Sequence, residues 1–192
     1  MRSKPILRLA ASISLLATLV ATTAVLNQAT SITALSQMSS STSSRATFDM
    51  DGVISSLILG VPANTKTIDM TTVQKFILSG DWSMSVDQGN LTNFNANFYT
   101  GPVNGANNHT HQLSNFRVNN NNPIQISPDN SLSISGILNV RTAGNNAWNN
   151  VNTTLVISNG RIISISLDDN DTQRHFMDQQ IYGIVKKSNM YK

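Results

Sequence analysis

From about residue 48 to residue 187 the chain alternates apolar and polar residues, and almost nowhere does it sustain a helical period. Successive side chains of a strand point to opposite faces, so each alternating segment has one face to bury and one to leave in water. The segments 48–59, 76–86, 91–99, 109–118, 132–140, 151–158, 161–167 and 180–187 read as strands. In 91–99, Phe94, Ala96 and Phe98 share one face and asparagines the other. Asp87-Gln88-Gly89-Asn90 marks one hairpin turn. Asn159-Gly160 marks another, because Asn-Gly supplies the positive φ angles of a two-residue type I′ turn. The stretches 101–108, 119–123 and 144–150 carry loop chemistry rich in Gly and Asn. The expectation is an all-β fold, an antiparallel β-sandwich or a small closed β-barrel of about eight strands; local periodicity does not separate the two.

Ahead of this body stand Arg2, Lys4 and Arg8, followed by residues 9–26 without a charge. This is the basic and apolar pattern of an export signal. Its length leaves both cleavage and retention as a helical membrane anchor open. Small residues suited to a peptidase lie at Ala24, Ala29 and Ala34, and Ser/Thr-rich sequence follows. The expected organisation is a signal peptide or anchor over 1–34, a linker over 35–47, one β domain over 48–187 and a tail over 188–192. The β domain is expected to work outside the cytoplasm, secreted or held at the surface by residues 9–26.

The leader also disposes of the charge. Arg2, Lys4 and Arg8 account for the whole excess of 13 basic over 10 acidic residues, so the body is neutral and net charge makes no case for a nucleic-acid partner. Any membrane contact falls to the N-terminal segment. There is no cysteine, which excludes disulfides, thiolate nucleophiles, Cys-type zinc sites, blue copper and iron–sulfur clusters. There is no glutamate either, so carboxylate chemistry would have to come from Asp. Serine nucleophile elbows, phosphate-binding glycine loops and dinucleotide fingerprints are absent, and no catalytic residue can be named.

The sharpest chemical feature is His109-Thr110-His111. Residues two apart on a strand share a face, so both imidazoles can reach one ion. The third histidine, His175, lies between the last two strands, where an antiparallel fold can bring it beside them. Three neutral imidazoles and one open position would suit zinc or copper. The plain alternative is that these histidines are ordinary polar positions next to a loop. Gln112, Asn115 and Asp171 are candidates to hold the ring N–H groups. His175-Phe176-Met177 has the His-x-Met form of copper chaperones without their wider spacing, and Asp168-Asp169-Asn170-Asp171 reads as an acidic turn before it reads as a calcium loop. Trp82 and Trp148 are expected in or at the edge of the core. Four sequons make Asn90, Asn108, Asn152 and Asn170 candidate glycosylation sites.

Taken together, Gly80-Asp-Trp-Ser-Met-Ser-Val86, Phe94-Asn-Ala-Asn-Phe98, His109-Thr-His-Gln-Leu-Ser-Asn-Phe116, Ile163-Ser-Ile-Ser-Leu-Asp-Asp169, His175-Phe176 and Ile181-Tyr-Gly-Ile-Val185 resemble the small secreted β-proteins of ammonia-oxidising archaea. The resemblance spans roughly residues 48–187. It implies an extracytoplasmic setting in a copper-dependent organism, and it brings no established activity and no catalytic residues. Two functions are therefore expected to compete. One is an exported β-domain that binds copper or zinc through His109, His111 and His175, for metal handling or a simple metal-assisted hydration or hydrolysis. The other is a non-catalytic cell-envelope structural or filament protein, glycosylated and self-associating.

Overall fold

The computed structural model describes residues 45–191 apart from 63–64, 106–107 and 143–146. The leader and most of the linker lie outside the described residues. Eight strands are present: β1 Thr47–Gly60, β2 Gln74–Asp87, β3 Asn90–Pro102, β4 His109–Val118, β5 Leu132–Thr142, β6 Ala147–Ser158, β7 Ile162–Leu167 and β8 Ile181–Tyr191. Each pairs antiparallel with its sequence neighbours, and β1 pairs with β8, so the sheet closes into an up-and-down barrel. The barrel is one of the two architectures left open by periodicity. β8 runs through the residues read as a tail because Thr47–Met50 of β1 pair with Ser188–Tyr191.

An eight-stranded barrel is just wide enough for inward side chains to fill it. The inward set here includes Met50, Ile54, Leu78, Trp82, Met84, Phe94, Phe98, Leu113, Leu138, Leu155, Ile163 and Ile181, all buried. The outward set is mostly Ser, Thr, Asn and Asp, with a few apolar exceptions such as Leu57 and Ile184, which explains a body so rich in asparagine. Some asparagines have a further role in the backbone. Asn115 and Asn150 hold positive φ angles of 57° and 58° where the β4–β5 and β5–β6 registers each slip by a residue. Asparagine tolerates that left-handed geometry, and the resulting bulges help the sheet to curve. Asn150 belongs to β6 for this reason, although its neighbours in sequence look like loop.

Both short hairpins form through positive φ angles. Gln88 and Gly89 (46° and 79°) join β2 to β3 directly. Asn159 and Gly160 (52° and 62°) also turn as expected, with the Arg161 N–H donating to the Ser158 carbonyl at 3.0 Å. Because Ser158 pairs with Ile162, Arg161 stays in the connection and β7 starts one residue later than its sequence pattern indicates.

In an up-and-down barrel, successive loops alternate between the two ends. At one end, residues 119–131 cross to the β2–β3 turn, where the Ile124 N–H donates to the Gly89 carbonyl at 2.7 Å and Ile124 is buried. At the other end gather the β1–β2, β3–β4, β5–β6 and β7–β8 connections. All three histidines are at that end.

The seam between β1 and β8 is very close at Gly52. A Cβ there would overlap the Ile184 carbonyl and meet the Trp82 indole nitrogen at 2.6 Å. Backbone cannot retreat from such a contact as a flexible side chain would. Gly52→Ala is therefore expected to lower the unfolding free energy by about 1–3 kcal/mol, the usual range for overpacking, with urea unfolding as the measurement.

Candidate metal centre

β4 supplies two of the three imidazoles. His109 and His111 both face inward, as their spacing requires, with His111 only 2% exposed and His109 half-buried. The β3–β4 register sets Thr100 opposite His109 and Phe98 opposite His111. The His111 ring packs against Phe98 and Phe176, each with its centroid 5.1 Å away, and the two phenyl rings pack on each other at 6.4 Å.

His175 comes from the connection between β7 and β8, which folds over this end of the barrel. Asp168 starts it by accepting from the backbone N–H groups of Asn170 and Asp171 at 2.9 and 3.1 Å. Thr172, fully buried, donates its hydroxyl to the Asp168 carbonyl at 2.9 Å. Asp169 accepts from the Asp178 N–H at 3.0 Å and pairs with Arg174 at 3.3 Å. Asp171 accepts from both the backbone and side-chain nitrogens of Asn152 at 2.9 Å. The acidic run is thus an internally bonded turn, and its carboxylates serve the loop.

Around His175, Gln173, Arg174, Met177 and Asp178 all hold positive φ between 52° and 61°. Non-glycine residues adopt this geometry at a cost of about 1 kcal/mol or more each, so the surroundings must hold it in place. Gln179 is one such tie: it accepts from the Leu59 N–H at 3.0 Å and donates to the Leu59 carbonyl at 2.7 Å, bonding the loop to the end of β1 as an added strand residue would. Gln179→Ala is expected to cost about 1–3 kcal/mol and to speed amide exchange selectively over residues 168–180, as hydrogen-exchange mass spectrometry would register.

The three rings converge on their Nε2 atoms. His175 Nε2 lies 3.3 Å from His109 Nε2 and 3.3 Å from His111 Nε2, and the ligand nitrogens all fall within 4.8 Å of one another. A tetrahedral ion with bonds of about 2.0–2.1 Å holds its ligand atoms about 3.3–3.4 Å apart. Two of the three separations therefore match the edge of such a site, and the arrangement is compatible with metal binding.

Two of the rings, His111 and His175, are held towards the protonation state a metal needs. Burial, and then the proximity of His175 and His109, push the pKa of His111 down from 6.5 to about 3. Burial and His109 push His175 in the same direction. Neutral imidazole is the ligating form. Among the described residues the buried His111 Nδ1 has no hydrogen-bond partner, so packing against Phe98 and Phe176 orients this imidazole. Gln112 and Asn115 are exposed, and Asp171 is engaged by Asn152.

A cavity of about 310 Å³ adjoins the cluster, walled by Ile58, Phe76, Leu78, Phe176 and Met177 and also touching Thr100 and the three histidines. A larger, open depression of about 550 Å³ spreads over the outer wall of β3–β5, among Asn97, Tyr99, Gln112 and Arg141. His111 also lines this depression, while its Nε2 lies 3.3 Å from that of His175. Several residues that shape the centre carry no local sequence signal: Thr100 and Phe98 enter through strand register, Gln179 through a long-range tie, and Trp148, partly buried, by stacking 5.1 Å from His175. Trp82 is buried in the core. Of the sequon asparagines, Asn90, Asn108, Asn152 and Asn170 are all exposed, and Asn152 already donates its side-chain amide to Asp171. No protein-family model, no curated protein and no solved structure matches this chain.

Proposed function

We propose that this protein is an extracytoplasmic β-barrel that binds one transition-metal ion, copper or zinc, through His109, His111 and His175, and uses it in metal handling or in a simple metal-assisted hydration or hydrolysis. The observation that carries the reading is the pair of 3.3 Å separations among three Nε2 atoms, equal to the edge of a tetrahedral site with one vertex open. Open three-nitrogen sites can activate water, and soft or borderline ions favour imidazole. The resemblance to secreted proteins of ammonia-oxidising archaea favours copper. The leader, the cysteine-free composition and the neutral, asparagine-covered body support export.

Purified protein loaded with Cu²⁺ or Zn²⁺ and desalted should retain one equivalent by elemental analysis, and X-ray absorption should show nitrogen neighbours at about 2.0 Å. His175→Ala should retain less than a tenth of that. Equal stoichiometry in wild type and variant would remove the site.

A second reading draws support from the outer wall. Leu57 opposite Ile77 and Ile162 opposite Ile184 are about half exposed on adjoining strand pairs. Such apolar outward pairs suit self-association within an envelope, with glycans on the exposed sequons. Analytical ultracentrifugation separates the two, since a monomer at tens of micromolar leaves the envelope-assembly reading without a basis.

A further inference from the structure

We propose that the cavity beside the three histidines is a binding site for a small apolar monocarboxylate, whose head takes the open position of the bound metal. The inference rests on the metal reading and adds the class of ligand.

Charge is the first reason. None of the described residues lining the cavity carries a carboxylate. Asp169, which is close in sequence, is engaged by Arg174 and by the Asp178 N–H. A divalent ion held by three neutral imidazoles would keep its full double charge in a largely apolar chamber, and an uncompensated buried charge is costly. An anion must therefore accompany the ion. Arg174 also lines the cavity, but its pairing with Asp169 leaves the two without net charge, so neither offsets the ion.

Size and lining are the second reason. Hydroxide would satisfy the charge, but one water occupies about 30 Å³ of liquid and the cavity offers about 310 Å³. Its walls of isoleucine, leucine, methionine and two phenylalanines suit a hydrocarbon body. A volume at the lower end of ligand pockets with few polar groups is the usual form of a small-molecule site.

Thr100 is the third reason. Its side chain is 7% exposed, lines the cavity and carries a hydroxyl with no hydrogen-bond partner. Buried hydroxyls are rarely left so, because an unmet group costs free energy. Strand register puts Thr100 opposite His109, and both line the cavity. A carboxylate has two oxygens. With one on the metal, the other can accept from Thr100, while the tail lies along Ile58, Phe76 and Leu78. An alcohol or amine lacks the charge, and acetate lacks the tail.

The test uses cobalt(II), whose visible spectrum reports coordination. Cobalt-loaded full-length protein is titrated with benzoate, acetate and benzyl alcohol. Benzoate should shift the visible bands saturably and bind at least about tenfold more tightly than either of the others. Thr100→Val should weaken benzoate by about tenfold or more, through loss of a hydrogen bond to a charged group. One equivalent of cobalt with benzoate binding no better than acetate or benzyl alcohol would overturn the carboxylate site and leave the metal site standing. Failure to take up cobalt would overturn both. The wild-type series decides the matter even if Thr100→Val does not fold.

Discussion

Saturating copper or zinc is expected to raise the melting temperature of the wild-type protein by about 10–15 °C, and that of His111→Ala by no more than about 2 °C. A ligand that binds only the native state stabilises it by about 4 kcal/mol at a thousandfold excess over Kd. For a domain of this size each kcal/mol moves the midpoint by about 4 °C. The three Nε2 atoms meet only in the folded barrel, since two come from β4 and the third from the β7–β8 loop. Removing His111 deletes one ligand and leaves a hole beside Phe98 and Phe176, so the apo variant should itself melt lower. The quantity to compare is therefore the increment on adding metal, measured by differential scanning fluorimetry or calorimetry. Equal increments in the two proteins would place the metal elsewhere.

The second large effect is acid sensitivity of the metal-free protein. The His111 ring is held neutral down to about pH 3 in the folded state, against 6.5 when free. As pH falls below 6.5 the unfolded chain takes up a proton that the native protein refuses, so the unfolded state gains and stability declines. The loss begins near 6.5, continues towards 3 and is complete once both states are protonated. Each pH unit is worth about 1.4 kcal/mol, so moving from pH 7 to pH 5 should cost about 2 kcal/mol. His175, also lowered, adds to the decline in the same direction. Urea midpoints at the two pH values, for wild type beside His111→Phe, isolate the contribution of the buried ring. The phenylalanine variant should lose far less. An equal decline in both would assign the effect to other groups.

The strands were readable because period two is a local property, and strand pattern needs nothing beyond neighbouring residues. Phe94, Ala96 and Phe98 show this: their alternation with asparagine foretells which side is buried. Closure was not readable in the same way. Whether β8 pairs with β1 or packs across a sandwich depends on residues some 130 positions apart, and no local pattern carries that information. The centre divides along the same line. His109 and His111 share a face by strand geometry alone, whereas His175 was placed with them only because no other histidine exists. Thr100 looks like any outward threonine until register sets it opposite His109. Gln179 resembles its neighbour Gln180, yet Gln179 alone binds both the N–H and the carbonyl of Leu59. Candidate acceptors for the rings were chosen by chemistry, and Asp171 proved to be committed to Asn152.

The β1–β8 seam also dictates an order of assembly. Hairpins β2–β3 and β6–β7 can form as soon as their residues exist, but the barrel cannot close until Ile181–Tyr191 is available to meet Thr47–Gly60. Until then β1 and β7 each present an unpaired edge, the usual template for joining another chain. Closing contacts of such long range form slowly, so that interval lasts. Asp49 and Asp51 put charge on the waiting edge of β1, and Lys187 of β8 lies across the seam from Asp51. The two aspartates discourage a second copy from inserting its own strand there, whereas β8 brings Lys187 into register with Asp51.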